Sequence, residues 1–277
     1  MKSKRLCLFL SLLVIAAAAA VFGIFSEPEG IPVLNYHQIN DRDENLMTVS
    51  TQEFEEQMSW LRDHGYYAIT ASELADALEG KTELPKKPVL ITFDDGYIDN
   101  YKCAFPILKR HGMKAIIFLI PDYVGVYPNY LTWDNIREMQ ADGIEFGSHT
   151  LNHSVLTDLA PEEASRQLRE SKQAIEWRTG RPVEYFAYPC GYLNADIEAR
   201  VRAEGYRAAF TVELGNTKKG DDLYALNRVP VFGAIQHTLF RFAARMRCPR
   251  FVAGLESLRR SLAEKNCDWL LFFIPVI

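Results

Sequence analysis

Val89-Leu90-Ile91-Thr92-Phe93-Asp94-Asp95-Gly96-Tyr97 carries an apolar run straight into two adjacent carboxylates and a glycine. The run reads as a buried strand, and Asp-Asp-Gly reads as the turn at its C-terminal end. Paired carboxylates there are costly to desolvate unless something positive compensates them. The plainer reading of the same residues is an Asx-turn leading into a helix N-cap. Outward from this stretch, strand-length and helix-length segments alternate. Before it lie a strand at 31–36, a helix opened by the capping box Ser50-Thr51-Gln52-Glu53, a strand at 66–70 and a short helix at 72–78. After it come a helix near 98–111, a strand at 115–120, a helix near 133–141 and a strand at 144–147. Residues 161–179 begin with proline and acids and predict a long helix. A strand at 185–188, a helix near 194–204, and strands at 207–212 and 226–231 complete the series. Strands separated by helices imply a parallel sheet joined by right-handed crossovers. The count predicts an α/β fold, a distorted (β/α) barrel of seven to eight parallel strands, TIM-barrel-like. The alternative is an open doubly wound sheet, but no GxGxxG follows any strand.

Composition narrows the function. The 277 residues carry 36 Asp+Glu against 31 Lys+Arg, a formal charge of −5, so no nucleic-acid partner is expected. Hydrophobic residues at 48% and charged ones at 24% are near globular averages, which excludes a disordered or collagen-like chain. The cysteines at 7, 103, 190, 248 and 267 form no CxxC pair, hence neither a disulfide framework nor a zinc ribbon. Lys2, Lys4 and Arg5 precede an uncharged run at 6–25. Residues 1–26 therefore read as a signal peptide or an N-terminal membrane anchor, with the length favouring the anchor and the alanines at 16–20 leaving cleavage open. The remainder divides into a catalytic domain at 31–240 and a basic segment with an apolar tail at 241–277. Trp269 begins that tail, which reads either as a packing helix or as an interfacial segment.

The chemistry collects where strands end. Glu145-Phe146-Gly147 leads into Ser148-His149-Thr150-Leu151-Asn152-His153, which holds two of only six histidines. On a helical turn, positions i and i+4 share a face, so both imidazoles could bind one ion. In a parallel barrel all strand C-termini open on one face, so these histidines and the Asp94-Asp95 pair would meet there. Two histidines and one aspartate, with positions left open for water, match a catalytic metal site better than a structural one. Phe186-Ala187-Tyr188-Pro189-Cys190-Gly191 closes another strand, with an ordinary proline turn as its plain reading. Tyr36-His37 ends the first strand. Tyr97, Tyr127, Tyr130, Trp133 and Tyr192 lie in or near strand-end loops, where sugar rings are often met by aromatic side chains, although each could equally be packing.

These motifs together resemble the polysaccharide deacetylases of carbohydrate esterase family 4, which share the chitooligosaccharide deacetylase homology domain. Thr92-Phe93-Asp94-Asp95-Gly96-Tyr97 matches the first motif of that family, His149-Thr150-Leu151-Asn152-His153 its histidine motif, and Tyr188-Pro189-Cys190-Gly191 its third. Tyr36-His37 and Phe186-Ala187-Tyr188-Pro189 are similar to one branch, the biofilm deacetylases acting on poly-β-1,6-N-acetylglucosamine, including the intercellular-adhesin type. The resemblance implies that Asp95, His149 and His153 hold a divalent metal ion, usually Zn2+. It implies that Asp94 is the general base, His37 the general acid, and the Cys190 backbone N–H, after Pro189, an oxyanion donor. Tyr97, Pro189 and Tyr192 are the candidate substrate contacts. Ala187 stands where the third motif commonly has an arginine that steadies the base. Arg228 could replace that arginine from the last strand, or could form an ordinary ion pair.

The expected activity is metal-dependent removal of N-acetyl groups from an N-acetylglucosamine polymer outside the cell, at a membrane surface, beside an exopolysaccharide synthesis or export system. Peptidoglycan and chitin-like β-1,4 chains are competing substrates. A catalytically silent carbohydrate-binding relative and a non-haem iron oxygenase are the competing classes.

Overall fold

The longer strands, of four to seven residues, are built mostly of buried residues. The protein is described by a computed structural model for residues 30–233 and 239–264. The segments 1–26 and 269–277 singled out in the sequence lie outside the described residues. Among the described residues no helix is long and apolar enough to cross a membrane. In chain order the strands are Val33–Tyr36 (β1), Gln38–Ile39 (β2), Thr48–Val49 (β3), Tyr67–Ile69 (β4), Pro88–Phe93 (β5), Ile116–Leu119 (β6), Glu145–Ser148 (β7), Tyr185–Ala187 (β8), Ala208–Leu214 (β9) and Leu226–Pro230 (β10).

Every pairing between these strands is parallel, and the sheet closes on itself. β1 runs along one edge of β5 from Val33↔Leu90 to Tyr36↔Phe93, and pairs on its other side with β10. From β5 the ring continues through β6, β7, β8 and β9 to β10, which makes a seven-stranded barrel. β4 is the eighth strand. It pairs with the start of β5 as Ile69↔Leu90, on the edge that β6 takes over at Thr92↔Ile116. The expected distorted barrel of seven to eight parallel strands is thus the observed one.

The helices begin where side chains satisfy their free N–H groups. Thr51–Asp63 (α1) is opened by the Ser50–Glu53 capping box, Ala71–Leu78 (α2) by Thr70 and Glu73, and Trp133–Ala141 (α4) by Thr132 and Asn135. Phe105–His111 (α3) precedes α4. Pro161–Thr179 (α5) starts on its proline and stops at Gly180, whose φ of 66° is the left-handed end a glycine permits. Ala195–Ala203 (α6) follows β8, and the Asn194 side chain caps it. One expectation is refined and one corrected. The helix near 98–111 is helical throughout, but Asn100–Ala104 winds it as a π-helical turn before α3. The segment from His149 to His153 is a non-helical turn, with Thr150 and His153 both at φ 64°.

Leu90, Phe118, Phe210 and Leu226 belong to one buried apolar cluster, in which the Phe118 and Phe210 rings lie 5.5 Å apart. Burying each such side chain contributes about 1.5–3 kcal/mol. Tyr36, Phe54 and Phe93 pack as a second group, ring centroids 5.1–5.8 Å apart, which seats α1 against β1 and β5. The described residues of Gly30–His237 form one compact unit, and Leu239–Arg247 (α7) and Pro249–Glu264 (α8) belong to another. An ion pair between Arg245 and Glu256 joins α7 to α8.

Candidate active site

The register of the closed barrel makes this site. Because Tyr36 lies opposite Phe93, the next residues on each strand, His37 and Asp94, emerge together at the C-terminal rim. His37 Nε2 is 4.0 Å from Asp94 Oδ2. Asp94 is buried and accepts two parallel hydrogen bonds from Arg228 on β10, Nη1 to Oδ1 at 2.8 Å and Nη2 to Oδ2 at 2.7 Å. Asn35 on β1 donates to the same Oδ2 at 2.9 Å. Burial alone would raise the Asp94 pKa, but the Arg228 guanidinium holds the carboxyl well below the usual carboxylate range. Arg228 is itself fixed from three further sides. Its Nε donates to the Thr211 carbonyl at 2.6 Å, its Nη1 to Thr92 Oγ1 at 3.1 Å, and its guanidinium lies 5.8 Å from the centre of the Phe118 ring.

Asp95, His149 and His153 converge beside this pair. Asp95 Oδ1 is 3.5 Å from His149 Nε2 and 3.4 Å from His153 Nε2, and one ligand atom from each residue lies within 4.8 Å of the other two. His149 Nδ1 is 2.7 Å from the Ala187 carbonyl at the end of β8, a pure acceptor, so that nitrogen carries the proton and Nε2 presents a lone pair. Burial lowers the His149 pKa to about 3 and also lowers that of His153, so both rings are neutral at ordinary pH. Burial, with the neighbouring Asp94 charge adding to it and His37 opposing it, pushes Asp95 up to about 6. Asp95 Oδ1 is a buried acceptor with no hydrogen-bond partner. His149 Nε2 and Asp95 Oδ1 are thus two acceptor atoms that face each other and repel unless a cation joins them. For metal bonds of about 2.0–2.1 Å, ligand atoms at tetrahedral corners stand about 3.3–3.4 Å apart. The spacings about Asp95 Oδ1 fit a divalent ion.

Backbone strain is concentrated here. Among the described residues, five other than glycine have positive φ, and four of them are Asp95, Thr150, His153 and Cys190. A β-branched threonine is rare in that region, and such a conformation costs on the order of 1–3 kcal/mol. The Pro189–Gly191 turn begins two residues after Ala187, the residue that holds His149. Pro189 is buried and Cys190 exposed. Gly191 has φ 75°, and a Cβ there would meet Val212 Cγ2 at 2.4 Å.

The comparisons with known proteins agree with this geometry. Residues 81–209 match the family model described as polysaccharide deacetylase. The Bacillus subtilis (strain 168) protein YxkH, a polysaccharide deacetylase by provisional name, is 36% identical over 214 residues, which cover 77% of this chain and 76% of that one. The chain belongs to the polysaccharide deacetylase family. A Staphylococcus epidermidis protein named poly-β-1,6-N-acetyl-D-glucosamine N-deacetylase is 28% identical over 75% of this chain and 81% of its own length. The solved structure of the Streptococcus pyogenes deacetylase PplD in complex with acetate superimposes with a TM-score of 0.71 at 30% identity, over 74% of this chain and 93% of that one.

The protein is therefore a polysaccharide deacetylase, a hydrolase. The structure gathers His37, Asp94, Asp95, His149, His153 and Arg228 into one site, and Ala187, two residues before the Pro189-Cys190 turn, holds His149. Tyr97 stacks on Tyr130 at 5.0 Å and acts on the Asp95 carboxylate through its hydroxyl, while Tyr192 is largely exposed. Trp133 faces the Arg178 guanidinium at 5.6 Å. Sequence reasoning missed Asn35 and Thr92, which hold Asp94 and Arg228. The available signal was a polar residue inside each of two apolar strands, since a buried polar group needs a partner.

Proposed function

We propose that this deacetylase hydrolyses the acetamide groups of an N-acetylglucosamine polymer, poly-β-1,6-N-acetylglucosamine, outside the cell, using one divalent ion, Zn2+, held by Asp95, His149 and His153. The observation that carries the reading is the convergence of those three side chains beside a paired Asp94 and His37. The bound ion would lower the pKa of water toward neutrality and polarise the acetyl carbonyl. Asp94 Oδ takes a proton from the attacking water, and Arg228 and Asn35 keep that carboxylate ionised and aimed. The Cys190 backbone N–H donates to the oxygen that gains charge as the carbonyl becomes tetrahedral, the kind of contact worth about 3–4 kcal/mol where measured. His37 passes a proton to the departing sugar nitrogen as the C–N bond breaks, which leaves acetate and a free amine. The polymer is supported by the name of the Staphylococcus epidermidis relative and by the position of His37 after the first strand. The external location is supported by the basic residues and apolar run at 2–25.

Acetate release from defined β-1,6 and β-1,4 N-acetylglucosamine oligomers and from peptidoglycan, with and without added zinc, tests the substrate. Fastest release from the β-1,6 series is expected, and preference for either other polymer overturns that assignment. Asp94→Asn is expected to retain bound zinc but lose at least about a hundredfold in turnover, whereas His149→Ala loses both. Near-normal turnover by Asp94→Asn would remove it as the base.

A further inference from the structure

We propose that Asp99 and Asn100 are positioning residues for His37, clamping the segment that carries the proton donor from the same connection that carries Asp94 and Asp95. The proposal rests on the reading of His37 as that donor. His37 falls in a gap between ladders: the pairing of β1 with β5 ends at Tyr36, and the pairing of β2 with β3 begins at Gln38. A catalytic imidazole is commonly aimed by a hydrogen bond at its second nitrogen. Here Nδ1 of His37 is buried with no hydrogen-bond partner. The ring is therefore placed by its backbone.

That backbone is held by the π-helical turn. The Asn100 amide has two N–H bonds, and both are used: one donates to the His37 carbonyl at 2.8 Å, the other to Asp99 Oδ1 at 3.1 Å. Both partners are pure acceptors, which fixes the nitrogen end of the amide toward them. Asp99 adds two further ties to the same segment, accepting from Asn40 Nδ2 at 2.7 Å and from the Ile39 backbone. Residues 37, 39 and 40 are thus tied to two adjacent, buried side chains. The Phe105 N–H donates to the Asn100 carbonyl, the i to i+5 bond of the π turn, and such turns recur at functional sites. The turn starts five residues beyond Asp95 on the connection from β5 to α3. One connection therefore supplies the base, a metal ligand and the clamp on the acid, and sets the 4.0 Å approach of His37 to Asp94.

The test uses the zinc-loaded full chain and two substrates. An N-acetylglucosamine oligomer has an amine leaving group that must be protonated; 4-nitrophenyl acetate has a phenolate that leaves unaided. Asn100→Ala is expected to lower kcat on the oligomer by about tenfold or more, part of the 10²–10⁴ a proton donor supplies, with KM and ester turnover held within about twofold. Asn40→Ala, a change nearer the surface, should show the same selective loss to a smaller extent, and it decides the matter if Asn100→Ala does not fold. Unchanged oligomer turnover, or an equal loss on both substrates, overturns the proposal. His37→Ala is the control for the reading beneath it. If that variant keeps full oligomer turnover, the donor assignment fails, whatever Asn100→Ala does; if it shows the selective loss and the clamp variants do not, the clamp alone fails.

Discussion

Without the guanidinium of Arg228, Asp94 would be a buried carboxylate left with Asn35 as a side-chain donor. Breaking a buried pair by removing one partner costs about 3–5 kcal/mol, because the remaining charge stays desolvated. Arg228→Met is therefore expected to lower the thermal midpoint markedly, and Asp94→Asn in the same chain should recover much of the loss, since it removes the stranded charge. A double variant no more stable than Arg228→Met would show that the arginine acts mainly through Thr211 and Phe118. Arg228→Lys keeps a charge but not the two-pronged geometry, and should fall between. At this scale much of the site was legible. Asp94-Asp95 and the two histidines stand out because ionisable side chains follow apolar runs directly. Asn35 and Thr92 were not singled out, because one polar residue within a strand does not say which neighbour it faces.

At the scale of elements, Glu145 at the start of β7 joins the barrel to α2. Its carboxylate accepts from the Ala71 N–H at 2.6 Å and from Ser72 Oγ at 2.9 Å. Burial raises its pKa, the Ala71 and Ser72 hydrogen bonds act against that rise, and the charge of Glu73 adds to it. Lys114 and the Tyr185 hydroxyl complete the local polar set, bonded to Glu73 and Ser72 respectively. A carboxyl whose folded pKa exceeds its unfolded one stabilises the fold at pH below the unfolded value. That contribution is lost as pH rises through the folded value. Glu145→Gln should thus gain in thermal midpoint relative to the parent as pH rises above the ordinary carboxylate range, and a difference that stays flat with pH would refute the assignment. The start of α1 was legible, because the Ser50–Glu53 capping box is a sequence pattern with its own hydrogen bonds; the Thr70–Glu73 box that opens α2 was not singled out. The π turn at 100–104 was not legible, since one inserted residue barely changes helical periodicity. Nor was the turn from His149 to His153, because HxxxH fits a helix and a left-handed threonine has no sequence signal.

For the whole molecule, alternation of strands and helices foretold a parallel sheet, but not that β1 would close the ring by lying between β5 and β10. That choice puts His37 against Asp94 and leaves β4 outside the ring. Neither follows from local pattern, since they depend on which distant strands share an edge. Closure also brings Asp95, His149 and His153, the proposed ligands, from the ends of β5 and β7 to one rim, where the facing acceptors Asp95 Oδ1 and His149 Nε2 oppose folding until a cation joins them. An ion that binds the folded chain and not the unfolded one stabilises it by about 2.7 kcal/mol at a hundred times its dissociation constant. For a domain of this size that raises the midpoint by about 5–10 °C. Stripping the protein with a chelator and adding zinc back should show this rise by calorimetry. Asp94→Asn should keep the rise, because that carboxylate faces Arg228 and Asn35 and not the ligand set, while His149→Ala should lose it. A midpoint indifferent to zinc in the unaltered chain would mean that Asp95, His149 and His153 are neighbours without being ligands, and the hydrolytic role of the rim would have to be carried by Asp94 and His37 alone.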